Sequence, residues 1–290
     1  MIPDEVELLC RHLRTRNYSP HTLESYKLDL RLFFTMIDKF VAEITWRDID
    51  RFIEQQHHQG LAVTTINRRL NAIKRFFDFM VIEQECLQSN PIKPSHRLRQ
   101  GRPLPKKLSS AQVTGLFAQI KNRVDRALFL LMLRCGLRVS EVAHLKVNDI
   151  DWEQKALLVE QGKGRKDRWV YLSADALESL HECLQLRPAV VPGDYFFWNQ
   201  KRRHRPLSVK AIQKKMERYA QAAQIEASCH SLRHTFASNL LEEGAAIVSI
   251  KEFLGHESIT ASERYAQLSN QQIKQSYLQT IKKVIAKTRV

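Results

Sequence analysis

The 290-residue sequence has no apolar run approaching the roughly 20 residues that a membrane-spanning helix needs, so a helical membrane protein is set aside. Its opening Met-Ile-Pro-Asp-Glu is acidic and lacks the basic-then-apolar layout of a secretion signal. Cysteines stand far apart at positions 10, 86, 135, 183 and 229, with no Cys-x-x-Cys pair. An odd, dispersed set of this kind argues against a disulfide framework and a cysteine-rich zinc site, and it suits a reducing cytoplasm. No His-Glu-x-x-His occurs, nor a Gly-x-x-x-x-Gly-Lys-Ser/Thr phosphate loop. Acidic residues do not gather among the basic motifs, so a two-metal nuclease lacks obvious ligands. There is no internal repeat and no low-complexity tract.

What the chain does have is positive charge, unevenly placed. The formal net charge is +15. Residues 1–100 carry 15 Lys and Arg against 13 Asp and Glu, whereas residues 101–290 carry 31 against 18, so the excess lies in the second part. Concentrated positive charge suits a polyanion, because neutralising phosphates releases their condensed counterions. The charges are scattered and not collected on one amphipathic stretch, which disfavours a membrane surface. At this length two domains of unequal size are expected.

The first 90 or so residues read as helices. Ser19 can cap and Pro20 can start a helix, and Leu23, Tyr26, Leu30, Phe33, Phe34 and Ile37 follow at steps of three and four. Gly60 breaks the chain. Ile66, Leu70, Ile73, Phe77 and Met80 then mark a second helix, whose other face carries Arg68, Arg69, Lys74 and Arg75, candidate DNA contacts. Residues 91–107 read as a linker, since Pro91, Pro94, Gly101, Pro103 and Pro105 forbid long regular structure. That stretch is basic throughout (Arg99, Arg102 and Lys106 are further DNA candidates) and fits either a solvated linker or a strap along a nucleic-acid backbone. Beyond it, Ala127–Leu133 is apolar enough to be buried. Ala156–Glu160 and Arg168–Leu172 read as strands of a hairpin with a glycine-rich basic tip, Gly162-Lys163-Gly164-Arg165-Lys166. Residues 199–218 add eight Lys and Arg, Arg202 and Arg203 among them, and one Glu. A terminal amphipathic helix is expected near 270–287, with Ile273, Tyr277, Leu278, Ile281, Val284 and Ile285 as its stripe.

Attack on a phosphodiester needs charge neutralisation, an aligned nucleophile and a proton for the leaving oxygen. Arginine suits the first task, because its planar fork gives paired charge-assisted hydrogen bonds to phosphate. Arg138 and Arg233 are the candidates, with Glu141 one helical turn from Arg138 and able to orient it. Lys163 on the hairpin tip fits proton delivery to a departing 5′-oxygen, with Lys166 as the fallback donor. His230 lies three residues from Arg233, on one helix face, and His256 follows Gly255 in a turn. Tyr265 is the candidate nucleophile, a phenol that needs a base or a strongly positive pocket to act near neutral pH.

The motifs Leu137-Arg138-Val139-Ser140-Glu141 and Leu232-Arg233-His234, together with Lys163, His230, His256 and Tyr265 in that order and spacing, resemble the tyrosine recombinases of the phage integrase family, Xer-like in size and plan. Tyr265 is followed by Ala266-Gln267, where many relatives have Thr-His. The resemblance implies a mainly α fold with a small β-hairpin, arranged as a two-domain DNA clamp. It implies a helical core-binding (SAM-like) domain over 1–90, a basic linker over 91–107, and a catalytic domain over 108–290 ending in an oligomerisation helix. It further implies a homotetramer on paired double-stranded DNA sites, with a second recombinase or an accessory protein where the system needs one. Strand exchange would pass through a 3′-phosphotyrosyl intermediate and a Holliday junction, with no cofactor, in a bacterial cytoplasm on nucleoid DNA. Periodicity alone equally lets the terminal helix fold back on its own core. Two rivals stay open: a non-catalytic DNA-binding regulator, and a type IB topoisomerase or telomere resolvase with the same tyrosine chemistry.

Overall fold

The structure is a computed structural model. It describes residues 3–99, 107–160, 167–200, 205–255 and 270–288, with backbone alone for 247, 248, 251 and 270–276. The chain separates into two compact units, Met1–Pro103 and Leu104–Val290.

The first unit is built from α1 (Glu5–Thr15), α2 (Pro20–Ile37), α3 (Trp46–His58) and α4 (Val63–Ile82). As the sequence predicts, the Ser19 hydroxyl accepts from the Thr22 amide (3.1 Å) and Pro20 takes the first helical position. The α2 stripe is buried apart from the half-buried Tyr26, and α2 ends at Asp38, which adopts a left-handed φ of 48°. Its Phe33 and Phe34 meet Phe52, Phe76 and Phe77 edge-to-face, with centroids 5.2–6.3 Å apart. That is the favoured aromatic geometry and gives the unit its centre. The packing runs past the expected boundary at residue 90. Ile92 and Leu98 lie against the core, and the Asn67 amide donates to and accepts from the Leu98 backbone, both at 3.0 Å. Prolines limit this stretch to one 3-10 turn, Pro94–His96, yet leave the chain free to dock by its apolar side chains.

In the second unit α5 (Ser110–Gln119) leads to α6 (Arg123–Arg134), which is buried from Ala127 to Arg134 as the apolar run foretells. After α7 (Val139–His144) comes an antiparallel sheet in the order β1 (Ile150–Asp151), β2 (Ala156–Val159), β3 (Arg168–Tyr171). The hairpin β2–β3 is the expected one, paired from Ala156 with Tyr171 to Val159 with Arg168. β1 escapes sequence reading because two residues carry no period. The helices α8 (Ala174–Gln185), α9 (Val209–Ala222), α10 (Cys229–Glu242), α11 (Ile247–Leu254) and α12 (Asn270–Lys287) complete the unit.

The helix α12 packs at home. Tyr277, Ile281 and Val284 are buried against Phe236, Leu240, Phe253 and Leu254 of α10 and α11. The Tyr277 hydroxyl donates to the Arg134 carbonyl (2.8 Å), and the buried Arg134 guanidinium donates to the Thr288 hydroxyl and carbonyl, both at 2.9 Å. Asp175 takes the remaining Nε bond at 2.8 Å. Tyr277, Ile281 and Val284 thus pack within their own unit, while Leu278 and Ile285 stay partly exposed along a groove beside α8. The Ile273 side chain lies outside the described residues.

Candidate active site

Gly136 makes the turn that delivers Arg138. Its φ of 65° is left-handed, and a Cβ there would stand 2.5 Å from the Phe236 ring of α10. Only glycine both adopts that turn cheaply and lets α10 approach so closely. Arg138 then occupies the N-cap of α7. Glu141, one turn on, accepts from the Arg138 amide and from its Nη1, both at 2.7 Å. Glu141 is thus the orienting carboxylate that its spacing from Arg138 leads one to expect.

From the other side α10 presents Arg233 and His230. Ser228 caps α10 by accepting from the Ser231 amide (3.1 Å), and the helical period then separates an inner from an outer row. Leu232, Arg233 and Phe236 point inward, while His230 and His234 meet edge-to-face one turn apart with centroids at 4.1 Å. Arg233 is buried, with Nη1 bonded to the Gly136 carbonyl and Nη2 to that of Leu254 (2.5 Å). Burial, then the charge of Arg138, push its pKa down to about 9, which still leaves it protonated at neutral pH. Partial enclosure, followed by the charges of His234, Arg233 and Arg138, lowers the His230 pKa below its usual value. The shift favours the neutral ring, the form able to accept a proton.

Three guanidiniums converge on the end of α11. The carbonyls of Phe253, Leu254 and Gly255 accept in turn from Arg168 Nε (2.8 Å), Arg233 Nη2 (2.5 Å) and Arg138 Nη2 (3.0 Å). The last carbonyls of a helix lack intrahelical donors and form the negative end of its dipole. They and Glu141 hold three cations together that would otherwise repel. Burial alone would raise the Glu141 pKa, but the hydrogen bonds and charge of Arg168, then Arg138, bring it below the usual carboxylate value. Three arginines around one carboxylate leave an excess of positive charge, the electrostatic requirement for seating a phosphate.

Of the residues read from the sequence, the structure brings Arg138, His230 and Arg233 to one place. Lys163, His256 and Tyr265 lie outside the described residues, as do Arg102, Lys106, Arg165, Lys166, Arg202 and Arg203. β3 begins just after the segment holding Lys163, and Gly255, beside the arginines, immediately precedes His256.

Arg168 is the site residue that sequence reading missed. A faint signal was there. Residues two apart in a strand share a face, and Val170 is fully buried, so Arg168 is a charge on the inward side.

On the basic face of α4, Arg68 and Lys74 are exposed but ion-paired, whereas Arg69 and Arg75 are partly buried. Arg68 pairs with the buried Asp29, and Arg69 donates to Gln56 and stays largely buried. Lys74 pairs with Asp78 at 2.6 Å, Arg75 is half-buried, and Arg99 is exposed. A buried carboxylate requires such partners, so Arg68 and Arg69 have a structural task whatever else they bind. Arg68 and Lys74 also line a groove of about 710 Å³ with Lys93 and Arg97.

Residues 106–272 match the phage integrase family, and residues 6–84 match the phage integrase N-terminal SAM-like domain. The chain belongs to the phage integrase family. Among curated relatives it is 30% identical to tyrosine recombinase XerC of Bacillus subtilis, covering 94% of each chain. It is 32% identical to tyrosine recombinase XerA of Pyrococcus furiosus, covering 86% of this chain and 87% of the relative. Among solved structures, the fold resembles a lambda integrase dimer bound to a COC′ core site, with a TM-score of 0.71 at 18% identity over 88% of this chain and 94% of that one. The Tn1549 transposon integrase in complex with circular intermediate DNA gives a TM-score of 0.70 at 18% identity, covering 93% and 98%. The chain is thus an Xer-like tyrosine recombinase, a site-specific DNA strand transferase. Among the described residues no helix is long and apolar enough to cross a membrane.

Proposed function

We propose that this recombinase binds a specific double-stranded DNA site and uses Tyr265 as nucleophile, with Arg138 and Arg233 on the scissile phosphate. The Tyr265 phenolic oxygen attacks phosphorus, the bond from phosphorus to the 5′-oxygen breaks, and a 3′-phosphotyrosyl ester forms. The phenolic proton passes to a neutral histidine, His230 or His256, and Lys163 protonates the departing 5′-oxygen. One phosphoester bond replaces another, so the energy is retained for rejoining. Attack by a 5′-hydroxyl from a partner strand reverses each step and, in two rounds, makes and resolves a Holliday junction. A homotetramer on paired sites fits that sequence, with a second recombinase or an accessory protein where the sites require one.

The observation that carries the residue assignment is the knot of guanidiniums at the end of α11. It concentrates charge between the motif bearing Arg138 and the helix bearing His230 and Arg233. Such preorganised donors stabilise a developing phosphorane without the cost of reorganising solvent. The test is a nicked suicide duplex carrying the cognate site, read on a denaturing gel in EDTA. A covalent protein–DNA band is expected with the native chain and none with Tyr265→Phe. Persistence of the band in the Phe variant would remove Tyr265 as nucleophile.

A further inference from the structure

We infer that Arg168 is a positioning residue for strand cleavage, fixing through Glu141 and the Phe253 carbonyl where Arg138 presents its guanidinium to the scissile phosphate. The inference rests on Arg138 being a phosphate ligand.

Arg138 has two tethers, and both depend on Arg168. The first is Glu141. Its Oε1 accepts from Arg138 Nη1 (2.7 Å) and Arg168 Nη1 (3.0 Å), and its Oε2 from the Arg138 amide (2.7 Å) and Arg168 Nη2 (2.8 Å). The parallel fork of Arg168 sets the plane of the carboxylate, and so sets the direction from which Arg138 is held. The second tether is the Gly255 carbonyl, which accepts from Arg138 Nη2 at 3.0 Å. It stands two residues after the Phe253 carbonyl that Arg168 Nε holds at 2.8 Å. Gly255 itself lies against Arg168, since a Cβ there would meet Nη1 at 3.2 Å. One side chain therefore ties the start of β3, the first turn of α7 and the end of α11.

Arg168 spends Nε, Nη1 and Nη2 on the Phe253 carbonyl and on both oxygens of Glu141, whereas Arg138 lies nearer the rim at 23% exposed. Losing Arg168 would let the Glu141 carboxylate rotate and collapse onto Arg138. That would misplace the cation and draw its charge away from the phosphate. Displacements of about 1 Å in a catalytic group cost on the order of a hundredfold in rate.

Arg168→Lys isolates the geometry, because lysine keeps the charge but cannot form the fork or hold the third bond at a fixed angle. Single-turnover cleavage is measured on two suicide duplexes, one with the natural phosphodiester and one with a methylphosphonate at the scissile position. A methyl group in place of a non-bridging oxygen removes the negative charge, so presentation of Arg138 matters much less. The variant is expected to lose about 30- to 100-fold on the phosphodiester and less than about fivefold on the methylphosphonate, each relative to the native chain on that substrate. Site binding and melting temperature should be close to native. Equal losses on both duplexes, or native cleavage of the phosphodiester, would overturn the inference. If Arg168→Lys melts below the assay temperature, Glu141→Gln is read on the same pair, where the same contrast is expected and equal losses again overturn it. Arg138→Ala runs alongside. Should it cleave the phosphodiester normally, the parent reading of Arg138 fails, whatever Arg168 does.

Discussion

Ile281→Ala tests where the terminal helix belongs. Ile281 is 2% exposed and packs in the cluster of Tyr277 and Val284 with Phe236, Phe253 and Leu254. Truncating a buried isoleucine to alanine costs about 2–5 kcal/mol, more where the surroundings cannot close over the void. Ile281 also borders an open groove of about 520 Å³ between α8 and α12, so one side can relax and the lower half of that range applies. For a unit of this size each kcal/mol is worth roughly 2–4 °C, which gives a fall of about 4–14 °C. Tryptophan fluorescence is the assay of choice, because Trp152, Trp169 and Trp198 sit in the second unit and Trp46 alone in the first. Home packing requires that the melting temperature, and the drop, be independent of protein concentration. A helix seated on a neighbour makes both concentration-dependent. A shift below about 2 °C, or one that varies across a hundredfold dilution, would refute the reasoning. By the same logic truncation after Ser269 is expected to unfold the second unit. It strips the covering stripe and leaves the buried Arg134 without its Thr288 partners, a loss comparable with the 5–15 kcal/mol that holds a typical domain together.

Gly136→Ala should destabilise the second unit by about 2–5 kcal/mol, combining a left-handed φ with a clash against Phe236, and a melting temperature within about 2 °C of native would contradict it. Arg138→Ala is expected to lower cleavage at least a hundredfold, roughly 3–4 kcal/mol of transition-state stabilisation, with site binding within a few-fold by gel shift. Arg233→Ala should lose cleavage and also melt lower, because it is buried and its two carbonyl partners would be left unsatisfied; a native melting curve would count against that. In the first unit, burial would raise the Asp48 pKa, but the hydrogen bonds from Lys39 and Thr45 bring it down to about 2. A folded pKa below the unfolded one gives stability that is present above the unfolded value and lost as pH falls through the folded value. Asp48→Asn should therefore cost about 2 kcal/mol at pH 7 and flatten the loss of stability between about pH 5 and pH 2, as followed by urea melts.

The elements with a period were legible from residues alone. The stripe of α2, the apolar run of α6, the β2–β3 hairpin and the span of α12 all follow from side-chain spacing and caps, and the structure places them where that spacing does. Three kinds of information were not periodic. The docking of residues 91–98 depends on Asn67 and two apolar side chains meeting backbone far away in sequence. The engagement of Arg68 and Arg69 depends on Asp29 being buried, and a polar residue on a helix does not reveal on which side of it a partner helix lies. The home packing of α12 depends on which hydrophobic face is nearer, something an amphipathic stripe leaves open.

The site shows the same division, with a physical consequence. Sequence reading finds arginines that would touch a phosphate, because that chemistry is carried by residue type and motif. It passes over Arg168, whose task is to bind Glu141 and a helix end rather than the substrate. Three cations within one small volume are stable only if their repulsion is offset, and here the offset comes from one carboxylate and three carbonyls at and just beyond the end of α11. A site built this way has little spare negative charge. An incoming phosphate completes a balance that the protein alone leaves positive, so groups that only brace the arginines should influence cleavage nearly as strongly as those that touch DNA.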